Sequence, residues 1–301
     1  EFLSLCKRRF MRRIDGKAIS LEIHKELEAQ VKARKAQGKK IPHLVAILVG
    51  NVGASLSYVN AKVKACEETG FRSTLIKFED TNSEESLLKK IDELNKDVDI
   101  DGILVQLPLP SHIVEEKIIT AIDPEKDVDG FHPINLGRMV QGQAGFIPAT
   151  PYGIMLLLEH FKVDTAGKHA VVIGRSNIVG RPLSILLSAN TKPGNCTVTL
   201  CHSKTKELSA HCQQADIIVA ALGKAEFLKA DMVKDGATVI DVGITRVTED
   251  TKKSGFRLLG DVHFETVSKK CEWITPVPGG VGPMTIAALL KNTFQACVKR
   301  N

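Results

Sequence analysis

Four side chains and one turn in this chain have the types and spacings that chemistry uses. Tyr58 and Lys62 stand four apart, so on a helix they share one face. From spacing alone the pair reads as a surface lysine beside a half-buried tyrosine. Gln106 closes the apolar run Ile103-Leu104-Val105, and an amide there is costly to bury unless water or a site group satisfies it. Asp129 follows the acid-rich turn Asp123–Asp127; taken singly it is a solvated turn residue, and the cluster lacks the spacing of a metal loop. Nine dispersed histidines show no zinc pattern, and no metal is expected. The turn is Gly174-Arg175-Ser176-Asn177-Ile178-Val179-Gly180, set between the apolar run His169–Ile173 and a helix start at Arg181-Pro182. Free amides and the helix dipole favour an anion at such a corner.

The turn is not the usual three-glycine fingerprint. Gly174 and Gly180 can be its outer members, but Ser176 stands where a middle glycine would let a pyrophosphate approach. The next strand, Thr197–Cys201, runs into His202-Ser203-Lys204 with no acid at its end. An NAD site wants a carboxylate there for the ribose 2′-hydroxyl, whereas cations and hydroxyls suit a 2′-phosphate. Arg175 and Ser203, with Lys204 beside them, therefore point to NADP.

These residues need elements to hold them. The 301 residues allow two domains, and 43% hydrophobic with 25% charged residues is a globular composition. A net charge of +6 suits small anionic ligands; no basic run with interleaved aromatics argues for nucleic acid, and no stretch approaches a membrane span. Seven unpaired-looking cysteines read as free thiols in a reducing compartment. Residues 1–10 are basic and precede Met11, as either the end of a mitochondrial targeting peptide or leftover sequence, which we favour.

Apolar Leu21, Ile23, Leu27 and Val31 predict a helix over 20–37, and Leu44–Val49 is a buried parallel strand. A turn at Gly50-Asn51-Val52-Gly53 leads to helix 55–68. Strand 72–78, helix 83–95, strand 100–106 and helix 114–122 follow, then an irregular connection over 133–145 and a helix over 151–161. The alternation predicts an α/β fold wound as βαβ units with a mainly parallel sheet. Past the turn, helix 206–215 and strands 216–222 and 237–242 continue the pattern. Thr275–Met284 is too rich in proline and glycine to pack as an element, and helix 285–298 closes the chain.

Taken in order, Tyr58-Val59-Asn60-Ala61-Lys62, Val105-Gln106-Leu107-Pro108-Leu109-Pro110, Lys126-Asp127-Val128-Asp129-Gly130, Gly174-Arg175-Ser176 and Pro276-Val277-Pro278-Gly279-Gly280-Val281-Gly282-Pro283-Met284-Thr285 resemble the bifunctional methylenetetrahydrofolate dehydrogenase/cyclohydrolase family. The resemblance runs from about Ile14 to the C-terminus and departs at Gly53, where the family usually has proline. It implies two domains with a cleft between them: a folate-binding catalytic domain over 11–150 plus 285–301, and a Rossmann-like NADP-binding domain over 151–284. It implies an oxidoreductase and hydrolase of one-carbon metabolism and purine biosynthesis. The enzyme would oxidise 5,10-methylenetetrahydrofolate with NADP and hydrolyse the methenyl product to 10-formyltetrahydrofolate.

By similarity Lys62 is the proton-transfer residue, for which a lysine of lowered pKa is suited, and Gln106 adjusts its protonation. Tyr58 packs on the folate, and Asp129 pairs with the amino-pyrimidine edge of the pterin. Val105, Leu107 and the loop Pro276, Val277, Pro278, Gly279, Gly280, Val281, Gly282, Pro283 and Met284 would line the substrate. Gly174, Arg175, Ser176, Ser203 and Ile244 would hold NADP. A cytoplasmic homodimer is expected, or a mitochondrial one if residues 1–10 are a targeting remnant. Other classes fit less well. Short-chain dehydrogenases use a Tyr-x-x-x-Lys pair, but there it follows the cofactor strands. A two-domain enzyme resembling shikimate dehydrogenase would leave Gln106 and the 276–284 loop unexplained, and a non-catalytic binding protein has no use for Lys62, Gln106 and Asp129 together.

Overall fold

A computed structural model describes residues 11–50, 53–249, 251 and 255–300. Residues 1–10, and Asn51 and Val52 of the expected turn, lie outside the described residues. The chain divides into two compact units: the first holds Ala18–Gly153 and the chain from Thr285 on, the second the chain up to Lys17 with Ile154–Met284. The first strand, β1 (Arg12–Arg13), belongs to the second unit.

In the first unit, α1 (Gly16–Ala36) leads to β2 (His43–Val49), α2 (Gly53–Glu68), β3 (Arg72–Phe78), α3 (Glu84–Lys96) and β4 (Gly102–Val105). Then come α4 (Glu115–Ala121), α5 (Pro133–Val140) and α6 (Ala149–His160). The sheet is parallel, in the order β3-β2-β4. Every residue of β2 is buried, which is why its sequence is a continuous apolar run instead of an alternation. Helix α3 buries Leu87, Ile91 and Leu94 against this sheet, and Ser83 caps it by accepting from the Ser86 amide. Helix α1 buries Ile19, Ile23, Leu27 and Val31, one residue in four; Leu21, counted in that stripe from sequence, faces solvent.

The expected irregular connection at 133–145 begins instead as helix α5. Pro133 is its first helical residue, where no amide donor is needed, and the His132 ring caps it by accepting from the Ile134 amide.

The second unit contains β5 (His169–Ile173), α7 (Gly180–Ser188), β6 (Thr197–Cys201), α8 (Leu208–Gln213), β7 (Ile217–Ala220) and β8 (Thr238–Asp241). An antiparallel hairpin of β9 (Thr245–Thr248) and β10 (Phe256–Leu259), which the sequence pattern does not predict, precedes α9 (Phe264–Val267), β11 (Trp273–Ile274) and α10 (Val281–Lys299), whose residues from Thr285 on belong to the first unit. The six-stranded sheet is ordered β1-β11-β8-β7-β5-β6, and all its pairings are parallel. Residues 11–17 thus join this unit through the pairing of β1 with β11, whereas the sequence places them in the other domain. Within the expected loop, Val281 to Met284 form the first turn of α10, with Pro283 tolerated at that position.

Candidate active site

Both units share one winding pattern. The earliest strand of each βαβ set, β2 or β5, has its successors on both sides, so the chain reverses its direction of travel across the sheet. Open α/β sheets bind ligands at the carboxyl ends of the strands flanking that reversal, where loops diverge and leave a crevice.

In the first unit the reversal lies between β2 and β4, and the candidate residues gather there. Tyr58 and Lys62 lie on α2, the helix that follows β2. Their burial inverts the reading from spacing. Lys62 is 6% exposed and Tyr58 37% exposed, so the lysine points inward and the tyrosine outward. Gln106 is the first residue beyond β4, and its amide N–H donates to the Ile47 carbonyl of β2. Lys62 Nζ donates to Gln106 Oε1 at 3.2 Å, and Gln106 Nε2 donates to the Leu107 carbonyl at 2.7 Å. The two partners make opposite demands, a carbonyl needing a donor and an ammonium an acceptor, so the orientation of the amide is chemically determined. Val105 closes β4 and is buried, while Leu107 precedes Pro108 across a cis bond.

Asp129 is 8% exposed, not the solvated turn residue that its neighbours suggest. Burial pushes its carboxyl pKa upward, and the charge of Lys62 pulls it back, so the two side chains feel each other. Burial and the Lys62 charge are what act on its carboxylate among the described residues, with no hydrogen-bond donor beside them. The rest of the Lys126-Asp127-Val128-Asp129-Gly130 motif builds the corner. Fully buried Lys126 donates to the carbonyls of Leu94 and Asp97 at the end of α3, and burial lowers its pKa. Asp127 accepts from the amides of Phe131 and His132 and from Asn135 Nδ2, and burial pushes its carboxyl up to about 7. At Gly53 an added Cβ would meet nothing within 4 Å, so the departure from the family's proline is not forced by packing.

In the second unit the reversal lies between β5 and β7, and the glycine turn sits on it. Gly174 has φ +117°, and a Cβ there would lie 2.1 Å from the Ala221 carbonyl oxygen just beyond β7. A Cβ at Gly180 would lie 1.9 Å from the Gly174 carbonyl oxygen. Both positions therefore require glycine, and they bring the first turn of α7 against the end of β5. Ser176 serves the turn, because its Oγ accepts from the amides of Val179 and Gly180, where α7 begins. Ile173 and Cys201 lie opposite each other on β5 and β6, so exposed Arg175 and Ser203 each stand two residues past a matched pair. Ile244 follows β8, and its Cδ1 lies 3.3 Å from where a Cβ on Gly282 would be, so it adjoins the start of α10. The 276–284 segment is held by the Lys17 amide donating to the Gly279 carbonyl.

Sequence reasoning missed three buried polar residues that hold these corners. Asp241 ends β8 and accepts from the amides of Asp261 and Val262; Asp261 accepts from the amides of Leu222, Gly223 and Lys224. Asn292 on α10 donates to the carbonyls of Val128 and Ile147. A polar residue at the end of an apolar strand or inside an apolar helix is the signal that could have found them, as it found Gln106.

A parallel nucleotide-type sheet with a glycine-lined turn at its reversal, and a second α/β unit with a buried lysine, amide and carboxylate, define a two-domain nicotinamide-nucleotide dehydrogenase. The tetrahydrofolate dehydrogenase/cyclohydrolase catalytic-domain profile matches residues 14–129, and the NAD(P)-binding-domain profile of the same family matches residues 148–301. The chain belongs to the tetrahydrofolate dehydrogenase/cyclohydrolase family. It is 62% identical over 286 residues to the bifunctional protein FolD of Flavobacterium johnsoniae, covering 95% of this chain and 97% of that protein. It is 61% identical to the Cytophaga hutchinsonii FolD, covering 95% and 99% of the two chains. Among solved structures, Campylobacter jejuni FolD matches with a TM-score of 0.90 and 48% identity, over 97% of this chain and 100% of that one. The Trypanosoma brucei dehydrogenase–cyclohydrolase, solved with NADP and an inhibitor, matches with a TM-score of 0.90 and 37% identity, over 96% and 98%. Shikimate dehydrogenase of Thermus thermophilus, at a TM-score of 0.51 and 16% identity, shares the fold alone.

Proposed function

We propose that this enzyme oxidises 5,10-methylenetetrahydrofolate with NADP and hydrolyses the methenyl product to 10-formyltetrahydrofolate, with Lys62, Gln106, Asp129 and Tyr58 as the folate-side residues. The observation that carries this reading is the burial of Lys62 against Gln106 at the sheet reversal, within electrostatic reach of Asp129. Gln106 Oε1 can only accept, so it holds one hydrogen of Nζ and leaves the others for substrate or water. Adding water to the methenyl bridge requires a proton to leave that water and another to reach the ring nitrogen as the bridge opens; Lys62 is the group that moves them. Asp129, with no donor of its own, offers two acceptor oxygens to the amino-pyrimidine edge of the pterin. Tyr58, outward and one turn before Lys62, offers a ring face on which the folate packs.

NADP, when bound, takes up the hydride from the one-carbon bridge, a step that needs orientation more than acid–base help. The residues present fit it. The Gly174 and Gly180 positions close the turn where a side chain would fill it, and Arg175 and Ser203 stand at the ends of neighbouring strands. We read Arg175 and Ser203 as the holders of the 2′-phosphate, and Gly174, Ser176 and Ile244 as further cofactor contacts.

We also read the protein as a cytoplasmic homodimer. Light scattering on the purified protein checks the dimer. No helix among the described residues is long and apolar enough to cross a membrane. The deciding assay supplies methylenetetrahydrofolate with NADP and then with NAD. Rapid reduction of NADP alone, followed by loss of the methenyl product, supports the two activities, and no reduction of either cofactor refutes the reading.

A further inference from the structure

We propose that Asn292, on helix α10, is a positioning residue for Asp129: its amide fixes the peptide that carries the Asp129 carboxylate and so sets folate affinity. The proposal rests on the reading of Asp129 as the folate's partner.

With no hydrogen-bond donor to its carboxylate among the described residues, the Asp129 side chain is aimed by its main chain, with the charge of Lys62 the other influence on it. That main chain is bracketed on both sides. Ahead of it, the carbonyl of Val128 accepts from Asn292 Nδ2 at 2.8 Å, and the Val128 side chain is packed where a Cβ on Gly102 of β4 would fall. Behind it, Gly130 has φ +75°, and a Cβ there would lie 2.6 Å from the carbonyl carbon of Ile147 and the nitrogen of Pro148. The Asp129 carbonyl itself accepts from the Ala149 amide. The 146–149 segment is thus the wall against which Asp129 is set, and Asn292 ties that wall to the Asp129 segment: the same Nδ2 also donates to the Ile147 carbonyl at 2.9 Å.

Asn292 is 1% exposed, and both amide hydrogens are spent on these two carbonyls. The chemistry is demanding. Leucine has a similar shape but would leave two buried carbonyls unpaired, and aspartate would set an oxygen against them. The neighbouring polar residue, Thr293, makes a useful contrast. It is equally buried, yet its hydroxyl donates to the Leu289 carbonyl of its own helix and gives nothing to the Asp129 segment.

The test compares Asn292→Leu, Asn292→Ser and Thr293→Val, with Asn292→Leu also placed in an Asp129→Asn background. Folate affinity, NADP affinity, kcat and thermal midpoint are measured for each. Asn292→Leu should raise KM for the folate in both activities about tenfold, with NADP affinity unchanged and kcat little altered, because the carboxylate is displaced and not removed. Thr293→Val should lower the thermal midpoint without changing folate KM. Once Asp129 is asparagine, adding Asn292→Leu should cost folate affinity less than about twofold, the non-additivity expected of two residues acting through one contact. Should the leucine variant not fold, Asn292→Ser, which keeps one donor, should give an intermediate folate KM.

Additive losses in the double variant, or an equal rise in KM from Thr293→Val, would overturn the positioning role while leaving Asp129 in place. Unaltered folate affinity in Asp129→Asn alone would overturn the reading on which the proposal rests, and the proposal with it.

Discussion

Lys62 Nζ lies 3.2 Å from Gln106 Oε1, joining the helix after β2 to the first residue after β4. Forty-four positions separate the two in sequence, and only the parallel pairing of β2 with β4 makes them neighbours. The contact is one-directional: an amide oxygen accepts, so the lysine presents its remaining hydrogens in fixed directions.

Lys62→Ala should therefore abolish hydrolysis of methenyltetrahydrofolate, a loss of at least about a hundredfold for a positioned proton-transfer group. NADP affinity should stay near wild type, because α2 belongs to the other unit from the glycine turn. The hydrolysis rate, followed by loss of the methenyl absorbance, checks this; full activity would remove Lys62 from the mechanism.

Asp129→Asn should weaken folate binding in both activities by roughly tenfold or more. Asparagine offers one acceptor where the carboxylate offers two, and it turns a donor toward the donors of the pterin. Titration calorimetry with the folate is the measurement, and an unchanged constant refutes the pairing.

Arg175→Ala should raise the apparent constant for NADP about ten- to a hundredfold, the loss of one charge-assisted contact of about 1.5–3 kcal/mol. The weak rate with NAD should hardly change. The strand pairing supports the assignment, since Arg175 and Ser203 leave β5 and β6 from matched positions. A variant that loses NADP and NAD equally would show that Arg175 holds the shared pyrophosphate instead.

Stability should carry a pH signature from Asp241. Burial pushes its carboxyl from 3.8 up to about 7, against the pull of amide donors from Asp261, Val262 and Gly243. Below about pH 4 the carboxyl is protonated whether the chain is folded or not, and it imposes no penalty. Between pH 4 and 7 the unfolded chain has released the proton and the folded one still holds it, so rising pH favours unfolding. Above pH 7 both are ionised and the penalty is constant. Urea midpoints for the wild type should thus fall across pH 4–7 relative to those of Asp241→Asn, which lacks this titration. Parallel curves would refute the assignment.

How much of this could be read from the sequence depended on whether a signal was local. The unbroken apolar run of β2 announced a strand buried on both faces, and Gly174 and Gly180 marked a turn that admits no side chain. Pro133 misled because proline breaks a helix interior yet begins a helix well; the His132 cap beside it was the missed cue. The β9–β10 hairpin was hidden by its short, charged strands, with Arg246 and Arg257 breaking the apolar pattern. At the site, spacing put Tyr58 and Lys62 on one face but could not say which of them turned inward, since that is decided by where β4 ends. Asn292 stood out as a polar residue in an apolar helix, but no local pattern names what it holds, since its partner Val128 lies 164 residues away.

The pairing of β1 with β11 sets an order of assembly. Arg12 and Arg13 are among the first described residues to leave the ribosome, yet their partners Trp273 and Ile274 are made some 260 residues later. At ordinary translation rates that interval is on the order of tens of seconds. The three strands of the first unit come from one unbroken stretch, His43 to Val105, and that sheet can form while the chain is still being made. The second sheet can form only in part, from β5 to β8, before β11 is made. Its outer strand waits unpaired, and the edge of β8 stays open to other chains, until β11 arrives to take its place between them.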